Sequence, residues 1–271
     1  MDNFLKLGRP LFGVALIAFG ADDLMCAHFG LAVSGVPWFP ASPPWGYLTG
    51  LAFIASGLSI AVGFRARLSA MVLGVLFLLY ALLEAPEVIA DPLSVGTRTV
   101  FFEALALSAS ALMLAGTLQN KGEGLSKFDK LIDLGPYVFG VSSIVFGIDH
   151  FLVIGFIASL VPGWLPGHLF WAFLTGIAFV AAGIAIVAKR MDRWAAFLLG
   201  VMFGTWFIVL HAPRVVHALM SYDPSAPDEW SSAFIALGLC AGSWICACYS
   251  QQRRGRTVER QWLGTDVEAR P

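Results

Sequence analysis

Apolar residues fall into eight long runs along this chain, parted by short polar connections. A helix needs roughly 20 predominantly apolar residues to cross a hydrocarbon core of about 30 Å. By that measure the runs predict spans over residues 9–32, 45–64, 68–89, 98–118, 134–160, 168–188, 194–219 and 230–249. Helix follows rather than strand, because an open sheet leaves backbone groups unsatisfied in lipid. The expected fold class is an all-α integral membrane protein with eight transmembrane helices.

Basic residues alternate between connections. Lys6 and Arg9, then Arg65 and Arg67, then Lys121, Lys127 and Lys130, then Lys189, Arg190 and Arg193, and finally Arg253, Arg254 and Arg256 all fall on one side. The positive-inside rule makes that side cytoplasmic and puts both termini there. The opposite connections, "VPWFPASPPWG", "ADPLSVG", "VPGWLPGH" and "SYDPSAPDEW", are rich in Pro, Gly and Trp and poor in Lys. They read as outer loops, with Trp38, Trp45, Trp164, Trp171 and Trp230 set as an interfacial aromatic belt. The start of the chain has a basic flank but no A-x-A-like cleavage site, so it is expected to stay as a first span.

The pattern repeats. Phe19-Gly20-Ala21-Asp22-Asp23 matches Phe146-Gly147-Ile148-Asp149-His150, 127 positions on. Trp45 with Leu48-Thr49-Gly50 matches Trp171 with Leu174-Thr175-Gly176, and Gly57 and Gly74 fall on Gly183 and Gly200. Leu83-Glu84-Ala85-Pro86 lands on Leu210-His211-Ala212-Pro213. The expected organisation is a four-helix repeat over 1–118, a cytoplasmic linker over 119–133, a second repeat over 134–249 and a polar cytoplasmic tail over 250–271. Four spans return the chain to its starting side, so the two bundles are expected to be parallel and pseudo-symmetric about an axis along the membrane normal.

Composition agrees with the pattern and removes several function classes. Of the 271 residues, 58% are hydrophobic and only 13% charged, against about 25% charged in an ordinary soluble domain. Mean hydropathy is +0.77. A net charge of -1 offers no basic field to nucleic acid. Cys26, Cys240, Cys246 and Cys248 form no CxxC pair and read as packing residues. The glycines inside spans read as points of close helix approach. No GxGxxG, P-loop, GxSxG or HExxH pattern marks a nucleotide site or a hydrolase.

Charges inside spans cost about 2.5–3.5 kcal/mol each at a helix centre, so each is a candidate for function. The first repeat holds Asp22, Asp23, His28, Glu84, Glu87 and Glu103; the second holds Asp149, His150, His211, Arg214 and His217. At about 1.5 Å per residue, Asp22 lies about 20 Å, and Glu84 and His211 about 26 Å, from their basic flanks, in the outer half of the bilayer. Pro213 removes an N–H and frees the carbonyl of Val209, and Pro86 suggests that both repeats use the same break. Between repeats the chemistry changes: His150 answers Asp23, His211 answers Glu84, and Arg214 answers Glu87.

Three readings of these residues stay open. Arg214 pairs with Glu84, Glu87 or an Asp and clamps the halves together. Alternatively Asp22, Asp23, Glu84, Asp149, His150, His211 and Arg214 surround a quinone or small-molecule pocket, or relay protons. Or His150 and His211 ligate haem iron or copper, with no further motif behind them.

Arg9-Pro10-x-x-Gly13, Phe19-Gly20 and the Gly-rich second and third spans, repeated with Phe146-Gly147-Ile148-Asp149-His150 and His211-Ala212-Pro213-Arg214, resemble the DoxX-like family of small bacterial membrane proteins. The chain looks like a tandem version of that unit from Gly8 to about Cys248. Some members are similar to the membrane subunit of thiosulfate:quinone oxidoreductase, and others accompany oxidative-stress or metal-related systems. The resemblance implies a bacterial inner-membrane protein, an accessory subunit of a redox, quinone-linked system that works with other subunits and is not catalytic alone. The alternative is a non-catalytic scaffold, assembly factor or small-molecule carrier whose buried charges only clamp the halves.

Overall fold

Lipid leaves the backbone no partner but itself, and every regular element among the described residues is a helix. The computed structural model describes residues 2–26, 43–119, 127–223 and 226–268. The N-terminal half contains α1 (Asp2–Cys26), α2 (Pro43–Val62), α3 (Ala66–Ala90) and α4 (Val95–Thr117). The C-terminal half contains α5 (Lys127–Leu152), α6 (Ile154–Leu160), α7 (His168–Val187), α8 (Asp192–Trp206), a π-helical turn (Phe207–His211), α9 (Ala212–Met220) and α10 (Ala226–Glu268). Among the described residues seven helical segments are long and apolar enough to cross a membrane. The chain is a multi-pass helical membrane protein. α1, which carries Lys6, Arg9, Asp22 and Asp23, is not among the seven.

The span expected over 134–160 divides into α5 and the short α6 at Val153, whose φ of −119° and ψ of 37° leave the helical region. The run expected over 194–219 holds a π turn just before Pro213. A residue without an N–H cannot close the i→i−4 bond, and the wider turn absorbs the defect. The matching break expected at Pro86 is absent: α3 continues to Ala90 as α-helix. The tail expected beyond 249 continues α10 without interruption to Glu268. His28, Pro37, Trp38 and Pro40 lie outside the described residues.

Packing follows a simple topology. α1 packs on α2, α2 on α3, α3 on α4 and α1 on α10, while α4 packs on α10. These five helices form a closed ring. α5 packs on α7, α7 on α8, α8 on α10 and α5 on α4, which closes a second ring of five. The two rings share α4 and α10 as a common wall. Those two helices run parallel, since Gly238 lies against Leu107, Gly242 against Ser110, and Tyr249 against Gly116.

Glycines make the tightest seams possible. A Cβ on Gly13 of α1 would lie 2.6 Å from the carbonyl oxygen of Gly57 on α2. A Cβ on Gly147 of α5 would lie 2.7 Å from the carbonyl oxygen of Gly176 on α7. Real side chains do not approach that closely, so only glycine lets these backbones touch.

Aromatic side chains pack on one another inside the first ring. Phe53 stacks on Phe77 with centroids 5.4 Å apart, and Phe19 and Tyr80 complete the packing at 6.2 Å from Phe53. In the second ring Phe179 meets Phe146 at 6.0 Å and Phe203 at 5.2 Å. Here the rings line a space instead of filling one.

Candidate functional site

The second ring encloses a cavity of about 600 Å³. Its walls come from α4, α5, α6, α7, the α8 end with its π turn, and α10. Each helix turns a regular stripe inward: Val95, Thr99 and Glu103 on α4, and Ser232, Ile235, Ala236 and Leu239 on α10. The surface is mostly apolar and aromatic, with Phe146, Trp171, Phe179, Phe203 and Trp206 around it. A few polar groups converge in an apolar chamber, the usual composition of a small-molecule site.

Asp149 is held firmly. Arg98 Nε donates to Asp149 Oδ1 at 2.8 Å, a terminal guanidinium nitrogen donates to the same oxygen, and Thr99 Oγ1 donates to Oδ2 at 3.3 Å. Arg98 also donates to the carbonyl of Pro92 at 2.7 Å. The ion pair is nearly closed to solvent, with the side chains 14% and 6% exposed. It joins α4 of one half to α5 of the other. Beside it, His150 Nδ1 lies 2.8 Å from the carbonyl oxygen of Phe146, and the imidazole sits 5.0 Å from the Phe179 ring.

His211 and Glu103 differ from this pair. His211 closes the π turn, lines the cavity, and its buried Nδ1 has no hydrogen-bond partner among the described residues. Glu103 lines the same cavity, and no neighbouring charge among the described residues compensates it. Trp171 is fixed by its Nε1, which donates to the carbonyl of Pro166 at 3.1 Å. It lines the cavity at the start of α7. Trp230 is fixed across the first ring, its Nε1 donating to the carbonyl of Ala18 at 3.0 Å.

The remaining predicted site residues lie elsewhere. Asp22 accepts a hydrogen bond from Ser231 of α10 at 2.7 Å, and Asp23 accepts one from Thr49 at 2.7 Å. Glu84 is buried on α3 and Glu87 half-buried one turn on, and neither lines the cavity. The expected single cluster is thus two groups, one in each half. Arg214 does enter an ion pair, but its carboxylate is Glu229 and not Glu84 or Glu87: Nε donates to Oε2 at 2.8 Å and a terminal nitrogen to Oε1. The pair stays within the C-terminal half. With His217 and Trp164 it lines a second cavity of about 640 Å³, which shares Leu160, Val161 and Leu210 with the first.

His150 and His211, read from the sequence as a candidate metal pair, both line the first cavity. Among the described residues no group of three or more His, Cys, Asp or Glu side chains is arranged to hold a metal ion. Sequence reasoning missed Arg98 and Glu229 and gave Glu103 no role. Arg98 opens its predicted span and Glu229 immediately precedes one, so both read as ordinary interfacial charges. One signal was present: Arg98 is a basic residue among connections otherwise poor in them. No protein-family model, no curated protein and no solved structure matches the chain.

Proposed function

We propose that the second ring is a binding chamber for a quinone, and that the protein is an accessory membrane subunit of a quinone-linked redox system. The observation that carries this reading is the aromatic cavity of about 600 Å³, into which Glu103, Asp149, His150 and His211 converge. A flat apolar ring with polar ends suits such a wall, where aromatic faces stack and a few fixed groups orient. Electron exchange then belongs to a separate subunit, and this chain supplies the site in the membrane.

The same proposal takes the chain as two parallel, pseudo-symmetric DoxX-like units with eight spans, counting α1. It is supported by matched features 126 or 127 positions apart. Phe19, Phe53 and Phe77 answer Phe146, Phe179 and Phe203, and the Gly13 and Gly57 contact answers that of Gly140 and Gly183. Asp22 and Asp149 each take a hydrogen bond from the fourth long helix of the other half. The distribution of Lys and Arg supports placing both termini in the cytoplasm, and the DoxX-like resemblance implies the bacterial inner membrane.

The protein purified in mild detergent is expected to retain an extractable quinone. A short-tailed benzoquinone is expected to quench its fluorescence saturably, because Trp171 and Trp206 line the cavity. Absence of both retained quinone and saturable quenching sinks the reading. A second reading, a non-catalytic scaffold clamped between halves, draws on the Arg98 and Asp149 pair. It expects loss of that pair to cost stability while no quinone binds at all.

A further inference from the structure

We propose that Glu103 and His211 are the two groups that hold the polar ends of the ligand head, one from each half of the protein; the assignment rests on the quinone reading above. Four titratable side chains line the cavity, and two of them already hold a hydrogen bond. Asp149 is bound by Arg98 and Thr99, and His150 Nδ1 is committed to Phe146. His211 Nδ1 is buried with no hydrogen-bond partner among the described residues, and Glu103 lines the same cavity with no neighbouring charge to compensate it. Polar groups in an apolar chamber are costly to leave unpaired, and a ligand that pairs them recovers that cost on binding.

Position supports the assignment. Glu103 is on α4, which packs on α5 and α10 but is not a neighbour of α8 in the ring, so the two groups stand across the chamber from each other. Their depths match. Glu103 lies eight residues into α4 from Val95, about 12 Å, and His211 nine residues before Met220, about 14 Å, from the same end of the bundle. Phe146, Phe179 and Phe203 line the same chamber. The arrangement suits a flat ring with oxygens at two separated ends, and each protein half contributes one contact.

Fluorescence titration with a short-tailed benzoquinol, and with the same ring lacking one oxygen, tests this. The unmodified protein should prefer the two-oxygen ring about tenfold. Glu103→Leu and His211→Leu should each lose that preference and bind both probes alike. Glu103→Gln and His211→Gln, which keep hydrogen-bonding capacity, should retain part of it and serve if the leucine variants do not fold. Glu87→Gln, on α3 and outside the cavity, should bind like the unmodified protein. If the unmodified protein binds and the Glu103 and His211 variants discriminate as it does, the assignment is overturned and the quinone reading survives. If the unmodified protein binds neither probe, the assignment falls, and the quinone reading falls with it where no quinone is retained or bound either.

Discussion

Arg98 grips Asp149 with two guanidinium nitrogens, and in doing so ties α4 of the N-terminal half to α5 of the C-terminal half. Both side chains are almost closed to solvent. Removing one partner leaves the other charge buried and alone. Arg98→Leu should therefore destabilise the protein by roughly 3–5 kcal/mol, and adding Asp149→Leu should return much of the loss. Thermal unfolding in detergent, read for both single variants and the double, decides it. Independent, additive losses would mean that the pair does not act as a clamp.

Arg214 should behave differently, although the sequence singles it out more clearly. Its side chain is 40% exposed and its partner Glu229 is 18% exposed. Solvent screens such a pair, so Arg214→Leu should cost no more than about 1 kcal/mol. An unfolding temperature that drops as far as for Arg98→Leu contradicts this ranking.

The glycine seams give a steeper test. Gly13→Val and Gly147→Val each force a side chain into a backbone carbonyl, at 2.6 and 2.7 Å for the first carbon alone. Overpacking of this kind typically costs 1–3 kcal/mol, and rigid backbone on both sides favours the upper end, about 3 kcal/mol. Gly155→Ala meets nothing within 4 Å and should leave unfolding unchanged. The comparison fails if all three variants unfold alike.

Pro213 links backbone chemistry to the chamber. Pro213→Ala restores an N–H that can bond the carbonyl of Val209, which favours regular α-helix over the π turn. Losing the extra residue of the turn rotates His211 away from the cavity. Quinone affinity should fall as it does for His211→Leu, with no loss of thermal stability. Unchanged binding would show that the turn does not aim the histidine.

Much of the fold was legible because lipid imposes one rule on every span. Uninterrupted apolar length was enough to find α2, α3, α4 and α7 to within a few residues. Breaks were harder, because they depend on local bonding that composition hides: Pro213 coincides with a π turn while Pro86 leaves α3 intact. The site was half legible. Asp149, His150 and His211 stood out as polar residues within apolar runs. Arg98, Glu229 and the role of Glu103 did not, because partner choice depends on which helices become neighbours. A four-helix repeat suggests that each half closes on itself, whereas α4 and α10 each cross to serve both rings.

The sidedness inferred from basic residues can be checked in cells. A cysteine placed at Leu93, exposed in the loop between α3 and α4, should react with a membrane-impermeant thiol reagent. One placed at Arg190, in the exposed turn before α8, should react only after permeabilisation. The reverse result would invert the protein in the membrane.

The shared wall also sets an order of events during synthesis. The first ring needs α10, made after every other helix named here, whose Trp230 and Ser231 bond Ala18 and Asp22 of the first. Four helices can enter the bilayer early, yet the interior around Asp22 stays open on one side until the ribosome has delivered α10. Assembly therefore cannot proceed as two finished bundles in sequence: the N-terminal half waits for the C-terminal end.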